Sequence, residues 1–199
     1  MLQLIGFYNY TVVLTYLSLF CGLVGMKYVH SGRFGMAILC LMLSGICDLF
    51  DGAVARTKKD RTQEEKSFGI QLDSLCDVIC FGVFPAVFLY CSGVTSLLGF
   101  AILVLYVLCA LIRLAFFNML EGRRQMTEGG CAKAYRGLPV TTAAVIYPLV
   151  YLIGLALPRE VMQVVYHIVP LAMAILFVWD FSIPKFDIGK LIFPEKNDK

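Results

Sequence analysis

Long apolar segments dominate the chain and are separated by short polar stretches. Six of them are long enough to span a bilayer as helices, which takes about 20 residues each. They are residues 8–29, 35–56, 70–91, 94–118, 138–157 and 161–181. Hydrophobic residues fill 59% of the 199 positions and charged residues only 16%, so an ordinary soluble domain is excluded. The pattern predicts an all-α, multi-pass membrane protein with six transmembrane helices, in which residues 1–199 form a single domain.

Lysine and arginine residues indicate how these helices are oriented. Thirteen of them fall in the loop from Arg56 to Lys66, the loop from Arg123 to Arg136 and the tail from Lys185 to Lys199. The opposite side carries Lys27, Arg33 and Arg159. Because basic loops stay in the cytoplasm, we expect both termini to be cytoplasmic and the protein to lie in the inner (cytoplasmic) membrane. The first segment lacks a preceding basic region and a small-residue cleavage site, so we expect it to remain as a helix.

The net charge of +3 gives no indication of a nucleic-acid partner. We expect the basic loops to face the anionic headgroups of the bilayer or an anionic substrate. The eight cysteines include no C-x-x-C pair, and the chain has only two histidines, which argues against a zinc site. We interpret the cysteines as small packing residues in a reduced setting.

Four aspartates interrupt the second and third apolar segments. Asp48 and Asp51 are spaced i, i+3 and Asp73 and Asp77 i, i+4, so each pair lies on one face of its helix. Carboxylates in hydrocarbon repel one another and lose hydration, which costs several kcal/mol per ion unless a cation lies between them. Hard divalent ions such as Mg²⁺ prefer carboxylate oxygens. The spacing therefore predicts a metal site inside the membrane, near its cytoplasmic face.

Small and basic residues flank the aspartates. Gly52 and Ala55 leave a slot in which a backbone or a bulky substrate can approach closely. Arg56 offers a planar fork suited to phosphate, and Lys66 and Ser67 border the carboxylate face. With an intervening metal, this set suits phosphoryl transfer from a pyrophosphate donor that enters from the lipid.

Other interpretations stay open from the residues alone. Acidic residues inside a membrane also mark cation pathways, so a divalent-cation transporter is an alternative. Thr15 in the first segment either packs against a neighbouring helix or lines the donor cleft. Arg113, near the cytoplasmic end of the fourth segment, either snorkels to headgroups or binds a ligand.

The pattern Asp48-x-x-Asp51-Gly52-x-x-Ala55-Arg56, followed by Gly69-x-x-x-Asp73-x-x-x-Asp77, resembles the signature of the CDP-alcohol phosphotransferase family. All eight signature positions match. The resemblance implies a six-helix membrane enzyme, as a homodimer, that transfers a phosphatidyl group from a CDP-linked lipid to an alcohol and releases CMP. It also implies that the four aspartates bind two divalent ions, Mg²⁺ or Mn²⁺, that Asp77 is the general base, and that Gly52 and Arg56 contact the CDP moiety.

Three further stretches are similar to the bacterial and archaeal phosphatidylserine synthase branch of that family. They are the residues around Leu72-Asp73-Ser74-Leu75, the run from Arg113 to Asn118, and Gly137-Leu138-Pro139. This likeness implies CDP-diacylglycerol and L-serine as substrates. The serine carboxylate needs a cation, for which Arg113 and Arg136 are the candidates. Glycerol 3-phosphate and inositol or inositol phosphate would need the same cations, so charge alone leaves these acceptors open.

Overall fold

Helices make up almost all of the computed structural model, which describes residues 5–58, 60–126 and 134–184. The helices are α1 (Val13–His30), α2 (Phe34–Thr57), α3 (Gln63–Asp77), α4 (Phe84–Cys91), α5 (Leu97–Met126), α6 (Ala143–Gly154) and α7 (Arg159–Val178). A π-helical segment, Val78–Val83, joins α3 to α4. Two three-residue strands, β1 (Ala134–Arg136) and β2 (Ser182–Pro184), pair antiparallel. The predicted helical class is confirmed, with this short strand pair as the exception.

Five helical segments in the described ranges are long and apolar enough to cross a membrane. They are Tyr10–His30, Phe34–Thr57, Gln63–Cys91, Leu97–Arg123 and Arg159–Val178. The predicted segment 138–157 corresponds to a shorter helical stretch, Val140–Gly154. At 1.5 Å per residue this stretch is about 22 Å long, against a hydrocarbon core of about 30 Å. Five helical segments of the described ranges thus have the length and composition of the predicted spans, whereas the sixth span and the cytoplasmic termini stay predictions.

Glycines allow the helices of this bundle to approach closely. A Cβ atom on Gly25 of α1 would lie 2.3 Å from Cζ of Phe84, and one on Gly22 would lie 2.9 Å from Sγ of Cys80. A Cβ atom on Gly45 of α2 would lie 2.4 Å from Cβ of Ala144. Small residues of this kind are typical of helix contacts within membranes, where van der Waals packing drives association. These glycines let α1 pack against the continuous helical segment of α3, Val78–Val83 and α4, and let α2 pack against α6.

The N-terminus of α3 lies several residues before the predicted apolar segment 70–91. Thr62 is its N-cap, and the Thr62 hydroxyl accepts from the Glu65 backbone N–H at 3.1 Å. The Glu65 carboxylate accepts from the Thr62 backbone N–H at 3.1 Å, which completes a capping box. Because this box starts the helix early, α3 carries Asp73 and Asp77 well inside a regular helix.

Candidate functional site

The four aspartates meet where the C-terminal half of α2 faces α3. Side-chain oxygens of Asp48, Asp73 and Asp77 all lie within 4.8 Å of one another. Asp51 and Asp77 are buried, with 9% and 7% of their surfaces exposed, and Asp48 and Asp73 are half-buried. The spacing of each pair along its helix brings both carboxylates to the shared face, as the sequence indicated.

The carboxyl groups form two contacts across this face. Asp48 lies within hydrogen-bonding range of Asp77, and Asp51 within range of Asp73. Within the described residues, no lysine or arginine nitrogen lies within 4.0 Å of these carboxylate oxygens. Two carboxylates hold such a contact only when a proton or a cation lies between them. The oxygen-only donor set and its spacing fit a hard divalent ion, which Asp48, Asp73 and Asp77 could share.

A cleft of about 100 Å³ opens beside the carboxylates, between α1, α2 and α3. Its lining combines small, hydroxyl and acidic residues: Thr11, Val12, Thr15, Asp51, Gly52, Ala55, Arg61, Gly69, Ile70 and Asp73. The Thr15 hydroxyl donates to Oδ2 of Asp51 at 3.0 Å, so α1 contributes directly to the carboxylate face. Thr15 is thus a lining residue and not simply a packing contact.

Arg61 enters this cleft from the linker between α2 and α3, and sequence reasoning missed it. Its Nη2 donates to the backbone carbonyl of Glu65 at 3.1 Å. A Cβ atom on Gly69 would lie only 2.6 Å from that same Nη2, so glycine is what allows the guanidinium to lie here. Nε of Arg61 is buried and has no hydrogen-bond partner among the described residues. One sequence signal could have located Arg61: the Thr62-x-x-Glu65 capping box predicts the start of α3 and so places Arg61 directly before that helix.

Glu65 connects three parts of the chain around Arg61. Its Oε1 accepts from Nδ2 of Asn9 at 3.3 Å and from Nζ of Lys58 at 3.1 Å. Oε2 accepts from the Thr62 backbone N–H. The N-terminal segment, the linker and α3 are therefore held together at the mouth of the cleft.

The other predicted donor residues are not among the residues that line the cleft. Arg56, Lys66 and Ser67 are exposed. Nη1 of Arg56 lies 3.7 Å from where a Cβ atom on Gly52 would be, so Arg56 remains close to the cleft. Nothing in the described geometry brings Lys66 or Ser67 into the lining, and their binding role stays a prediction.

Arg113 lies on α5 and is buried, with 7% of its surface exposed. Its guanidinium carbon is 6.0 Å from the ring centroid of Phe117. Its Nε lies 3.4 Å from where a Cβ atom on Gly137 would be, and Gly137 has a φ of +71° that favours glycine. The Gly137 N–H donates to the Phe181 carbonyl at 2.7 Å, which anchors this turn to the end of α7. Arg136, the second predicted acceptor residue, has a side chain outside the described part of the structure.

A polar chain links α3 to α5 close to the aspartates. The Ser74 hydroxyl donates to Oδ1 of Asn118 at 2.8 Å, and Nδ2 of Asn118 donates to Oε1 of Gln71 at 3.2 Å. Ser74 follows Asp73 directly in α3. The sequence alone marked this serine and asparagine only through family likeness, because their contact joins residues 44 positions apart.

Comparison with known proteins decides the family. The sequence model of the CDP-alcohol phosphatidyltransferases matches residues 8–179. The chain belongs to this family. It is 34% identical over 148 residues to the CDP-diacylglycerol–serine O-phosphatidyltransferase of Helicobacter pylori (strain ATCC 700392 / 26695), a match that covers 73% of this chain and 58% of the relative.

Two further relatives agree with this assignment. The archaetidylserine synthase of Methanothermobacter thermautotrophicus is 35% identical over 143 residues, covering 71% of this chain and 57% of the relative. The CDP-diacylglycerol–serine O-phosphatidyltransferase of Saccharomyces cerevisiae is 36% identical over 113 residues, covering 55% of this chain and 40% of the relative. This chain thus spans a little over half the length of the bacterial and archaeal relatives. No solved structure matches it.

CDP-alcohol phosphatidyltransferases generally depend on divalent metal ions. The acidic cluster of Asp48, Asp73 and Asp77 is suited in composition and spacing to hold them. The adjoining cleft is bounded by glycines and Arg61, so it has room and positive charge for an anionic group. Carboxylates and a cleft of this kind give the chain the parts that phosphoryl transfer requires.

Proposed function

We propose that this chain transfers the phosphatidyl group of CDP-diacylglycerol to the hydroxyl of L-serine, giving phosphatidylserine and CMP. The observation that carries the proposal is the convergence of Asp48, Asp73 and Asp77 within 4.8 Å beside a cleft with glycine walls. Family membership supports a CDP-linked donor. The Helicobacter and Methanothermobacter relatives both carry serine in their names, which supports serine as the acceptor.

Asp48, Asp51, Asp73 and Asp77 would hold two divalent ions, Mg²⁺ or Mn²⁺, through their carboxylate oxygens. When bound, such ions would neutralise negative charge on the diphosphate and make the attacked phosphorus more electrophilic. Thr15 fixes the Asp51 carboxylate through its 3.0 Å hydrogen bond, so the ligand set is ordered from the α1 side as well.

Asp77 is the residue we assign as general base. Its carboxylate accepts the proton of the serine hydroxyl while the serine oxygen forms a bond to the phosphorus that bears diacylglycerol. The bond between that phosphorus and the oxygen of CMP breaks, and CMP leaves. Because Asp77 is buried and lies against Asp48, its carboxylate is held in a fixed position for this transfer.

The donor side of the site is formed by Thr15, Gly52, Arg61 and Gly69. We assign it to the diphosphate of the CDP-lipid. Gly52 and Gly69 let the phosphates approach the backbone, and Arg61 offers a guanidinium fork at the same place. The buried Nε of Arg61 would gain an acceptor when a phosphate oxygen enters.

Three residues at the rim would contact the donor farther out. Arg56 is the strongest of these, because it lies beside Gly52. Lys66 and Ser67 are exposed on α3 and would meet the donor only as it enters from the cytoplasmic surface.

The acceptor side of the site is formed by Ser74, Arg113, Asn118 and Gly137. We assign Arg113 to the serine carboxylate, with Arg136 as a second cation. Arg113 is buried near the glycine turn, so a carboxylate there would be recognised with little competition from water. The amide of Asn118, held by Ser74 and Gln71, would complete the polar lining.

We further propose six membrane-spanning helices in a single domain of residues 1–199, with both termini in the cytoplasm. The bias of basic residues toward the loops after α2 and α5 supports this orientation. The active site would face the cytoplasm of an inner-membrane homodimer. A membrane-impermeant thiol reagent that reacts with Lys196→Cys in intact cells would contradict the orientation.

The direct test is CMP release by the purified protein in lipid nanodiscs. CDP-diacylglycerol is supplied with L-serine, glycerol 3-phosphate, inositol or inositol phosphate, and the lipid product is identified by mass spectrometry. We expect CMP and phosphatidylserine with L-serine, loss of both in chelator, and recovery with Mg²⁺ or Mn²⁺.

The acceptor panel separates the parts of the proposal. CMP release with glycerol 3-phosphate but not serine would overturn the acceptor assignment and leave the chemistry intact. Absence of CMP release with every acceptor would overturn the proposed reaction itself.

A further inference from the structure

The helix that carries Asp73 and Asp77 changes its winding immediately after Asp77. The Val78 N–H still donates to the Ser74 carbonyl, four residues back, but the Phe84 N–H donates to the Ile79 carbonyl, five residues back. The segment Val78–Val83 is therefore π-helical. Such segments are rare, occur within longer α-helices and are frequent at functional sites.

Pro85 explains why the change of winding occurs here. In an uninterrupted α-helix the Phe81 carbonyl would accept from the N–H of residue 85. Proline has no N–H, and its ring clashes with the carbonyl four residues before it. In α-helical winding the Phe81 carbonyl would thus have no intrahelical partner, inside a buried helix where water is not available to replace it.

Tyr106 of α5 supplies the missing hydrogen bond. Its hydroxyl donates to the Phe81 carbonyl at 2.5 Å, and both residues are fully buried. The Tyr106 ring is fixed by the Tyr147 ring, at 6.0 Å between centroids and nearly perpendicular, and by the Phe177 ring at 5.5 Å. The π-helical segment is therefore attached to a rigid aromatic cluster contributed by α5, α6 and α7.

The winding of this segment sets the direction of the aspartates. Phe84 and Leu89, beyond the π-helical segment, are fixed in the core at 1% and 0% exposure. One extra residue in a turn rotates the preceding part of a helix by roughly 100° relative to the part beyond it. The side-chain directions of Asp73 and Asp77 therefore depend on whether the segment keeps its π-helical winding.

We propose that Tyr106 is a positioning residue: by holding the Phe81 carbonyl it maintains the π-helical segment that aims Asp73 and Asp77 at Asp48 and Asp51. Tyr106 itself touches neither substrate nor carboxylate. The inference deepens the proposed function and rests on it for the kinetic readouts, whereas its metal-binding readout does not depend on turnover.

The test compares Tyr106→Phe with Tyr151→Phe in the full-length protein in nanodiscs. Both changes remove one hydroxyl from a tyrosine packed between helices, but the Tyr151 ring lies against Phe88, at 6.2 Å between centroids, and is not part of the cluster of Tyr106, Tyr147 and Phe177. We expect Tyr106→Phe to lower kcat by roughly 10- to 100-fold, because small misplacement of catalytic groups has effects of this size. The KM for CDP-diacylglycerol should change less than twofold, and Mn²⁺ binding by calorimetry should weaken at least several-fold. Tyr151→Phe should leave all three values near those of the parent protein.

A double variant separates positioning from simple stability. Pro85→Ala restores an N–H for the Phe81 carbonyl, so Pro85→Ala/Tyr106→Phe should melt at a higher temperature than Tyr106→Phe alone. We expect its kcat and Mn²⁺ affinity to stay low, because the helix can now wind as α and turn the aspartates away. Recovery of both values in the double variant, or unchanged kcat and Mn²⁺ affinity in Tyr106→Phe, would overturn the inference. If the parent protein releases no CMP with any acceptor, the proposed function fails, and Mn²⁺ binding alone decides the role of Tyr106.

Discussion

In the proposed function, the donor side of the site is assembled from residues 15–69, whereas the acceptor side joins α3 to α5 and to the turn before α6. On the donor side, Thr15 bonds to Asp51 and Arg61 lies against Gly69. On the acceptor side, Ser74 bonds to Asn118, and Arg113 lies against Gly137. The first side depends mainly on how three successive helical segments are spaced, and the second on how distant helices pack.

The two sides also differ in the surroundings of their arginines. Arg61 comes from a linker and is held by a backbone carbonyl, so a ligand can exchange with that contact. Arg113 belongs to the long helix α5 and is buried beside Phe117. It also lies beside the Gly137 turn, which is hydrogen-bonded to the end of α7. We infer that the proposed donor side adapts to a flexible lipid diphosphate, while the side chains of the proposed acceptor side are held more rigidly.

Replacing the aspartate that both sides share should have the largest effect. Asp77→Asn keeps the shape of the side chain but removes a ligand charge and the proposed base. Loss of a general base lowers rates by roughly 10²- to 10⁴-fold, and the lost metal-ligand charge adds to this. We expect kcat to fall at least that far with either Mg²⁺ or Mn²⁺, measured as CMP release, in a protein that still folds.

Asp60→Asn is the matched control, because Asp60 is an exposed residue of the α2–α3 linker. It should retain the parent rate. An Asp77→Asn protein with more than a tenth of the parent kcat would remove Asp77 from the role of base.

The aspartate face could be predicted from the sequence because its geometry is local. Asp48 and Asp51, like Asp73 and Asp77, are fixed on one face by helical periodicity alone. Because their surroundings are apolar, a cation is needed to offset the repulsion between the carboxylates and their lost hydration. Lys66 shows the limit of the same reasoning. It is seven residues before Asp73 and shares its face, yet it lies about 10 Å farther along the axis and is exposed.

Features that depend on distant partners could not be predicted in this way. Pro85 alone does not predict the π-helical winding, because the hydrogen bond to the Phe81 carbonyl comes from Tyr106, which is 25 positions away in sequence. Arg61 counts in the sequence only as one of the basic residues between Arg56 and Lys66, because no local pattern shows that Gly69 leaves space for its guanidinium. The short helix α6 likewise follows a Gly-Leu-Pro turn, whose contacts with α7 are tertiary.

Arg61→Gln should weaken the donor side selectively. A hydrogen bond to a charged group contributes about 1.5–3 kcal/mol, so the KM for CDP-diacylglycerol should rise roughly 10- to 100-fold. The KM for serine should change much less, because Arg61 lines the cleft that we assign to the donor. Arg61→Lys keeps the charge without the fork and should fall between the parent and Arg61→Gln.

Arg33→Gln provides the matched control, since Arg33 is an exposed arginine at the opposite end of α2. It should leave both KM values unchanged. Equal increases of the donor and serine KM values in Arg61→Gln would show that Arg61 supports the whole site and not its donor side.

Arg113→Lys should produce the smallest of these effects and the opposite selectivity. Lysine keeps the positive charge but replaces a planar fork by a single ammonium group, so one of two carboxylate hydrogen bonds is lost. At about 1.5 kcal/mol, the lower end for a hydrogen bond to a charged group, the serine KM should rise about tenfold, with little change in the KM for CDP-diacylglycerol. Arg159→Lys, at the exposed start of α7, is the control for the same substitution and should change neither value. The measurement is CMP release at varied serine with saturating CDP-diacylglycerol, and then at varied CDP-diacylglycerol with saturating serine.

Because Arg61→Gln and Arg113→Lys are expected to move different KM values, the pair together tests whether the two sides recognise different substrates. A rise in the donor KM alone for Arg113→Lys would mean that the buried arginine binds the diphosphate, and that the acceptor pocket lies elsewhere.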